Sequence, residues 1–95
     1  MSVAPRVTIH LTGPLRPYCA GASRLGVEAG SVKAALEQLE RHHAALYRNL
    51  CDETGALRPH LNVFVNADNV RDREGVLTTL AAGDVVTFLP AVSGG

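Results

Sequence analysis

The chain has 95 residues, 46% of them apolar and 19% charged, with nine basic side chains balancing nine acidic ones. That length holds one small core and little more. The apolar content excludes a disordered chain, and the lack of a long block of one sign excludes the electrostatic footprint of a nucleic-acid or anionic-membrane binder. No apolar run nears the roughly 20 residues that span a bilayer, and the start MSVAPRVTIHL lacks a signal-peptide core. The expectation is therefore a single cytoplasmic domain over residues 1–95, with neither nucleic acid nor membrane as partner.

Val7, Ile9 and Leu11 alternate with Thr8 and His10, the period of a half-buried strand. The stretch TGPLRPYCAGAS then breaks any regular pattern with its prolines and glycines, and alternation resumes at Leu25 and Val27, which reads as a loose hairpin. Gly30 and Ser31 open a helix, because a serine hydroxyl can accept from a free first-turn amide and the apolar period lengthens directly after it. Val32, Leu36, Leu39, His43, Leu46 and Leu50 fall on one stripe, widened by Ala35, while Glu37 and Arg41 are spaced as an i, i+4 pair on the wet side. The helix is expected to fray between Tyr47 and Leu50, ahead of the turn formers in CDETGALRP. His43 reads as a packing or hydrogen-bonded residue on that stripe and not as a ligand.

In HLNVFVNADN, Leu61, Val63 and Val65 share one strand face, and Asn62, Phe64 and Asn66 share the other, with Asp68 and Asn69 closing the strand as turn formers. RDREG is a loop, and Val76, Leu77 and Leu80 are spaced for one short helical turn under the sheet. GDVVTFLPAV is the last strand, with Val86 and Phe88 inward and Thr87 and Leu89 outward. The order strand, strand, helix, strand, short turn, strand describes an α+β domain, a β-grasp in which a mixed sheet packs on one main helix. Its inward set is Val7, Ile9, Leu11, Leu25, Val27, Val32, Leu36, Leu39, Leu46, Val63, Val65, Leu80, Val86 and Phe88.

Cys19 and Cys51 are far apart and in no metal or CxxC spacing, which makes them packing or surface thiols. His10, His42, His43 and His60 form no HExxH or i, i+4 ligand pair, so no metal site is expected. Phe64 and Leu89 fall on the outward face of neighbouring strands, where an exposed apolar pair marks either a docking site or ordinary edge packing. Arg58, Arg71 and Arg73 are placed to ring such a patch or simply to be solvated.

The sequence closes FLPAVSGG. Composition alone reads two last glycines as a frayed end. A terminal carboxylate is a poor electrophile until activated, and an acyl adenylate would open it to a sulfur nucleophile. Glycine lacks a Cβ and threads narrow channels. Residues 90–95 thus carry two readings, a frayed end or a flexible reactive tail in which Pro90, Ala91, Val92 and Ser93 lead Gly94 and Gly95 into a partner's cleft.

The tail LPAVSGG, the preceding GDVVTFLP, the strand NVFVN with its DNVRDREG, and LRP at Leu15–Pro17 together resemble the MoaD/ThiS family of ubiquitin-like sulfur carrier proteins, most of all its CysO branch. The resemblance runs over nearly the whole chain and is sharpest from Leu61 to Gly95. It implies a protein cosubstrate and not an enzyme, with no cofactor of its own. A ubiquitin-activating-type adenylyltransferase/sulfurtransferase uses ATP to adenylylate the Gly95 carboxylate, which becomes a thiocarboxylate. An acceptor enzyme then takes the sulfur, a cysteine synthase first, or a molybdopterin synthase large subunit if the chain is of the MoaD type. The same resemblance leaves open a donor for another metabolite and a ubiquitin-like modifier that joins Gly95 to lysines. The chain itself has one lysine, Lys33.

Overall fold

A computed structural model describes residues 4–90. Five strands form one mixed sheet in the order β2-β1-β5-β3-β4, with β1 Arg6–Leu11, β2 Arg24–Glu28, β3 Leu61–Val65, β4 Asp68–Asn69 and β5 Val85–Pro90. The β1–β2 and β3–β4 pairs are antiparallel, and β5 is inserted between them, parallel to β1 and antiparallel to β3. In that register Phe88 is opposite both Leu11 and Val63, and Val86 is opposite both Ile9 and Val65. Side chains alternate with a period of two, so these registers put Val7, Ile9, Leu11, Leu61, Val63, Val65, Val86 and Phe88 on one face, all of them buried. The fold is the β-grasp expected from the order of elements.

The helical layer covers that face. Ser31 Oγ accepts from the Ala34 amide at 3.1 Å, and α1 runs over Val32–His42, burying Val32, Ala35, Leu36 and Leu39. One continuous helix was expected here; instead His43, with φ −142° and ψ 59°, ends α1 and begins α2, Ala44–Leu50. Two adjacent histidines are weak helix formers, so a break costs little at this point. The bend keeps Leu46 and Leu50 fully buried while turning α2 onto the segment after β1. His43 itself is half-buried.

Three further departures have local causes. The proline-rich stretch after β1 is not irregular but a 3-10 helix, Gly13–Cys19, with Pro at its first turn and Leu15 and Cys19 buried beneath it. Asp68–Asn69, expected only as a turn, pairs back on β3 as a two-residue strand. The turn around Val76 is a 3-10 helix, Gly75–Leu77, but Leu77 is 62% exposed and does not lie under the sheet. Leu80 is buried by a different device: its amide donates to the Gly30 carbonyl and Thr79 bridges Ser31, which straps this segment to the start of α1.

Of the expected inward set, Leu25 and Val27 are half-buried at the sheet's end, packed against the core, and the rest are buried. Leu61, on the face of Val63 and Val65, also belongs to that core, and so do Leu15, Cys19, Ala29, Leu50, Cys51 and Val70, which lie outside the strand alternations. The Glu37–Arg41 pair does not form. Among the described residues the ion pair present is Arg73 to Asp68 at 3.2 Å. Two exposed side chains gain too little in water to offset the rotamers they lose.

The entry to β5 is clamped. Asn66, in the left-handed region at φ 55°, accepts from the Val85 amide through Oδ1 and donates through Nδ2 to Asp84 Oδ1 at 3.1 Å. Asp84 Oδ2 accepts from the Ala81 amide at 2.8 Å. That amide first, and the Asn66 amide second, hold the Asp84 carboxyl below the usual carboxylate range.

Two outcomes are expected. Phe88→Ala, which empties the middle of the core, should lower unfolding free energy by about 3–5 kcal/mol in urea denaturation. Asp84→Ala should lower it by about 1 kcal/mol at pH 7, a figure discounted for solvent screening. Because the folded pKa is depressed, the wild-type advantage is full above the unfolded carboxylate value and disappears as pH falls through the folded one. The gap between the two urea midpoints should therefore close in strongly acidic solution.

Candidate functional site

The registers that bury one face of the sheet leave the other without a covering layer among the described residues. Across it, Arg24, His10, Thr87, Phe64 and Asn69 form one row spanning all five strands. The next row holds Leu89 opposite Asn62, and the row on the other side holds Gly26, Thr8 and Val85. Phe64 faces Thr87, and Leu89 lies two residues further along β5, so the two apolar side chains are diagonal neighbours, roughly 7–8 Å apart. Leu89 is 41% exposed and Phe64 is half-buried, and neither packs on the core. The sheet thus brings together the two strand residues that the sequence singled out as a docking pair.

Pro90 was expected to start the flexible tail. It is instead the last residue of β5, paired with Leu61. The parallel ladder to β1 ends at Leu11 and Phe88, so Pro90 is flanked by β3 alone, a setting in which a missing amide hydrogen is tolerated. Ala91, Val92, Ser93, Gly94 and Gly95 lie outside the described residues.

Two side chains hold the corner from which the tail positions follow. Thr12 Oγ1 donates to the Phe88 carbonyl at 3.4 Å from one side. On the other, the Arg71 guanidinium donates to the carbonyls of Pro59 at 2.9 Å and Leu61 at 3.3 Å, fixing the start of β3 against which Pro90 lies. Of the arginines expected to ring the apolar pair, Arg71 is thus a backbone clamp, Arg58 donates twice to the Arg48 carbonyl on the helical side, and Arg73 pairs with Asp68. Nothing in the sequence separated a clamp from a solvated arginine. Arg71 stands two residues after Asn69, whose side-chain oxygen accepts from the Arg71 amide and caps the 3-10 turn at Val70–Asp72.

The two thiols are withdrawn from this surface. Cys19 and Cys51 are both free and buried, and burial pushes each thiol up from its ordinary value. A raised thiol pKa means little thiolate and a poor nucleophile. Two adjoining cavities of about 500 and 520 Å³ share Glu40 and Tyr47, and they are lined from the helices and the 51–58 segment, not from the open face. Among the described residues no three His, Cys, Asp or Glu side chains are grouped to hold a metal ion.

With native protein at neutral pH, Cys19 and Cys51 should react with iodoacetamide at least about tenfold more slowly than in urea-unfolded chain, as counted by mass spectrometry.

Comparison with known proteins gives consistent results. Residues 10–95 match the ThiS family. The sulfur carrier protein CysO of Mycobacterium tuberculosis (strain ATCC 25618 / H37Rv) is 34% identical over 91 residues, covering 94% of this chain and 98% of that protein. A chain of the Amycolatopsis orientalis BexX/CysO complex superposes with a TM-score of 0.85 at 31% identity, over 94% of this chain and 99% of that one. The small archaeal modifier protein 1 of Methanosarcina acetivorans gives a TM-score of 0.86 at 29% identity, with both chains covered in full.

Proposed function

The chain belongs to the ThiS family, and we propose on that premise that it is a sulfur carrier whose C-terminal glycine is the site of attachment. The observation that carries the proposal is the coincidence of two things. The match to the family runs through Gly95, and the sheet ends β5 at a braced corner directly ahead of the five tail positions. A strand held in the middle of a sheet is a rigid handle for a substrate peptide that another enzyme must find.

The chemistry proposed is acyl activation followed by displacement. The Gly95 carboxylate attacks the α-phosphorus of ATP and expels pyrophosphate, giving an acyl adenylate. Hydrosulfide then attacks the acyl carbon, the carbon–oxygen bond to AMP breaks, and the products are a thiocarboxylate, AMP and a proton. The activating enzyme supplies the catalytic groups, and the chain acts as its cosubstrate. The thiocarboxylate then hands its sulfur to an acceptor enzyme, in our reading one that makes cysteine, in line with the likeness to CysO. Phe64 and Leu89 give the activating enzyme an apolar seat, and Ala91, Val92 and Ser93 are small enough to follow the glycines into its cleft.

A second use of the same adenylate is attack by a lysine amine to form an isopeptide, which the likeness to an archaeal modifier protein favours. The exposed Lys33 in the first turn of α1 is the one lysine of the chain, so joining copies side chain to tail would have one linkage.

Incubated with ATP, sulfide and an extract containing the activating enzyme, the chain should gain the mass difference between sulfur and oxygen, and a variant lacking Gly95 should gain nothing. An unmodified wild-type chain, under conditions that convert an established carrier, would overturn the assignment. Adducts to lysines in place of the sulfur gain would favour the modifier reading.

A further inference from the structure

The apolar pair occupies only the β3–β5 half of the open face. The β1–β2 half is of a different character. Its outward residues are Arg6, Thr8 and His10 on β1, set opposite Glu28, Gly26 and Arg24 on β2. Arg6 faces a carboxylate directly across the strand pair, yet no ion pair with Glu28 forms. Its guanidinium runs the other way and rests over Gly26, where a Cβ would lie 2.8 Å from Nη2. Gly26 and Arg24 lie on the same face, two residues apart on β2, and neither Arg6 nor Arg24 has a counter-ion within 4.0 Å among the described residues. A glycine within a strand weakens it, and it occurs where something must approach the backbone closely. Here that something is the flat of an arginine.

We propose that this half of the face, Arg6 laid over Gly26 with Arg24 and His10 beside it, docks against an acidic surface of the activating enzyme. The inference rests on the sulfur-carrier reading above and adds the charge of the partner to it. This half carries two guanidiniums against the one exposed carboxylate of Glu28, so its balance is positive, and the repulsion between the two cations is screened in water. Against a carboxylate-lined surface both become attractive, and the apolar pair beside them sets the register. Charges at the rim of an interface act chiefly on the rate of encounter, so the effect belongs in kcat/KM and not in kcat.

The test is ATP–pyrophosphate exchange by the activating enzyme that modifies the wild-type chain, measured across a range of sodium chloride concentrations. Arg24→Glu should lower kcat/KM about five- to tenfold at low salt, with kcat unchanged, and the difference should shrink toward unity by about 0.5 M salt. Gly26→Ala displaces only the far end of a flexible side chain, so it should fold normally and lower kcat/KM about twofold by lifting Arg6. Arg41→Glu, the same change of net charge on the exposed side of α1, should leave kcat/KM at low salt within about twofold of wild type. If Arg24→Glu is indistinguishable from wild type at low salt, or if Arg41→Glu loses as much, the acidic-partner inference is overturned while the carrier reading stands. Absence of exchange with the wild-type chain would instead remove the carrier reading, and this inference with it.

Discussion

The pairing of β5 on both its edges is the constraint on which the rest of the molecule depends. Val86 and Phe88 fill the centre of the only face that the helices cover, and each meets one residue of β1 and one of β3. Without β5 the two antiparallel pairs share no hydrogen bonds, and α1 and α2 have no continuous surface to lie on. The Asn66–Asp84 clamp fixes where β5 begins, and Thr12 and Arg71 fix the corner where it ends. Register in β5 therefore sets which residues face inward across three strands at once, since a slip of one residue would send Phe88 to the open side.

The division of labour between the two faces follows from this. One side of the sheet is consumed by a core that the domain needs to exist at all, given its length. The other side is left free to be specific, with apolar residues on β3 and β5 and cations on β1 and β2. The thiols and the buried hydroxyl of Thr78 belong to the first side, where the Thr78 oxygen accepts from the Glu74 amide and the thiols have little thiolate character.

Much of this was legible in the sequence, for a reason that can be stated residue by residue. Alternation at Val7, Ile9 and Leu11, and again at Leu61, Val63 and Val65, is a direct image of the pleat, so those strands and their inward faces could be read off. Ser31 announced the helix because its hydroxyl has one good use at that position. What could not be read was set by contacts distant along the chain. The bend at His43 keeps the same apolar stripe, so periodicity is blind to it, and the burial of Leu15 and Cys19 depends on α2 lying above them. Leu77 looked inward by spacing, but the strap between Thr79 and Ser31 decides which residue of that segment is covered. Arg71 and Arg58 bond to backbone carbonyls ten or more residues away, which no local pattern records. The outward positions of Phe64 and Leu89 were legible from alternation, whereas the lie of Arg6 over Gly26 depends on a strand register that the sequence does not record.

That the central strand is also the last one in the described chain has a consequence for how the protein is made. Residues up to Val65 reach the ribosome exit with both inner strand edges unsatisfied, and no rearrangement among them can supply the missing ladder. A chain abandoned before Val85 is thus left with two exposed strand edges and a core that lacks Val86 and Phe88 at its centre, the kind of product that aggregates or is degraded. Folding is in this way a proofreading step on synthesis, since a nascent chain passes into the stable pool only after the residues that immediately precede the tail have been built.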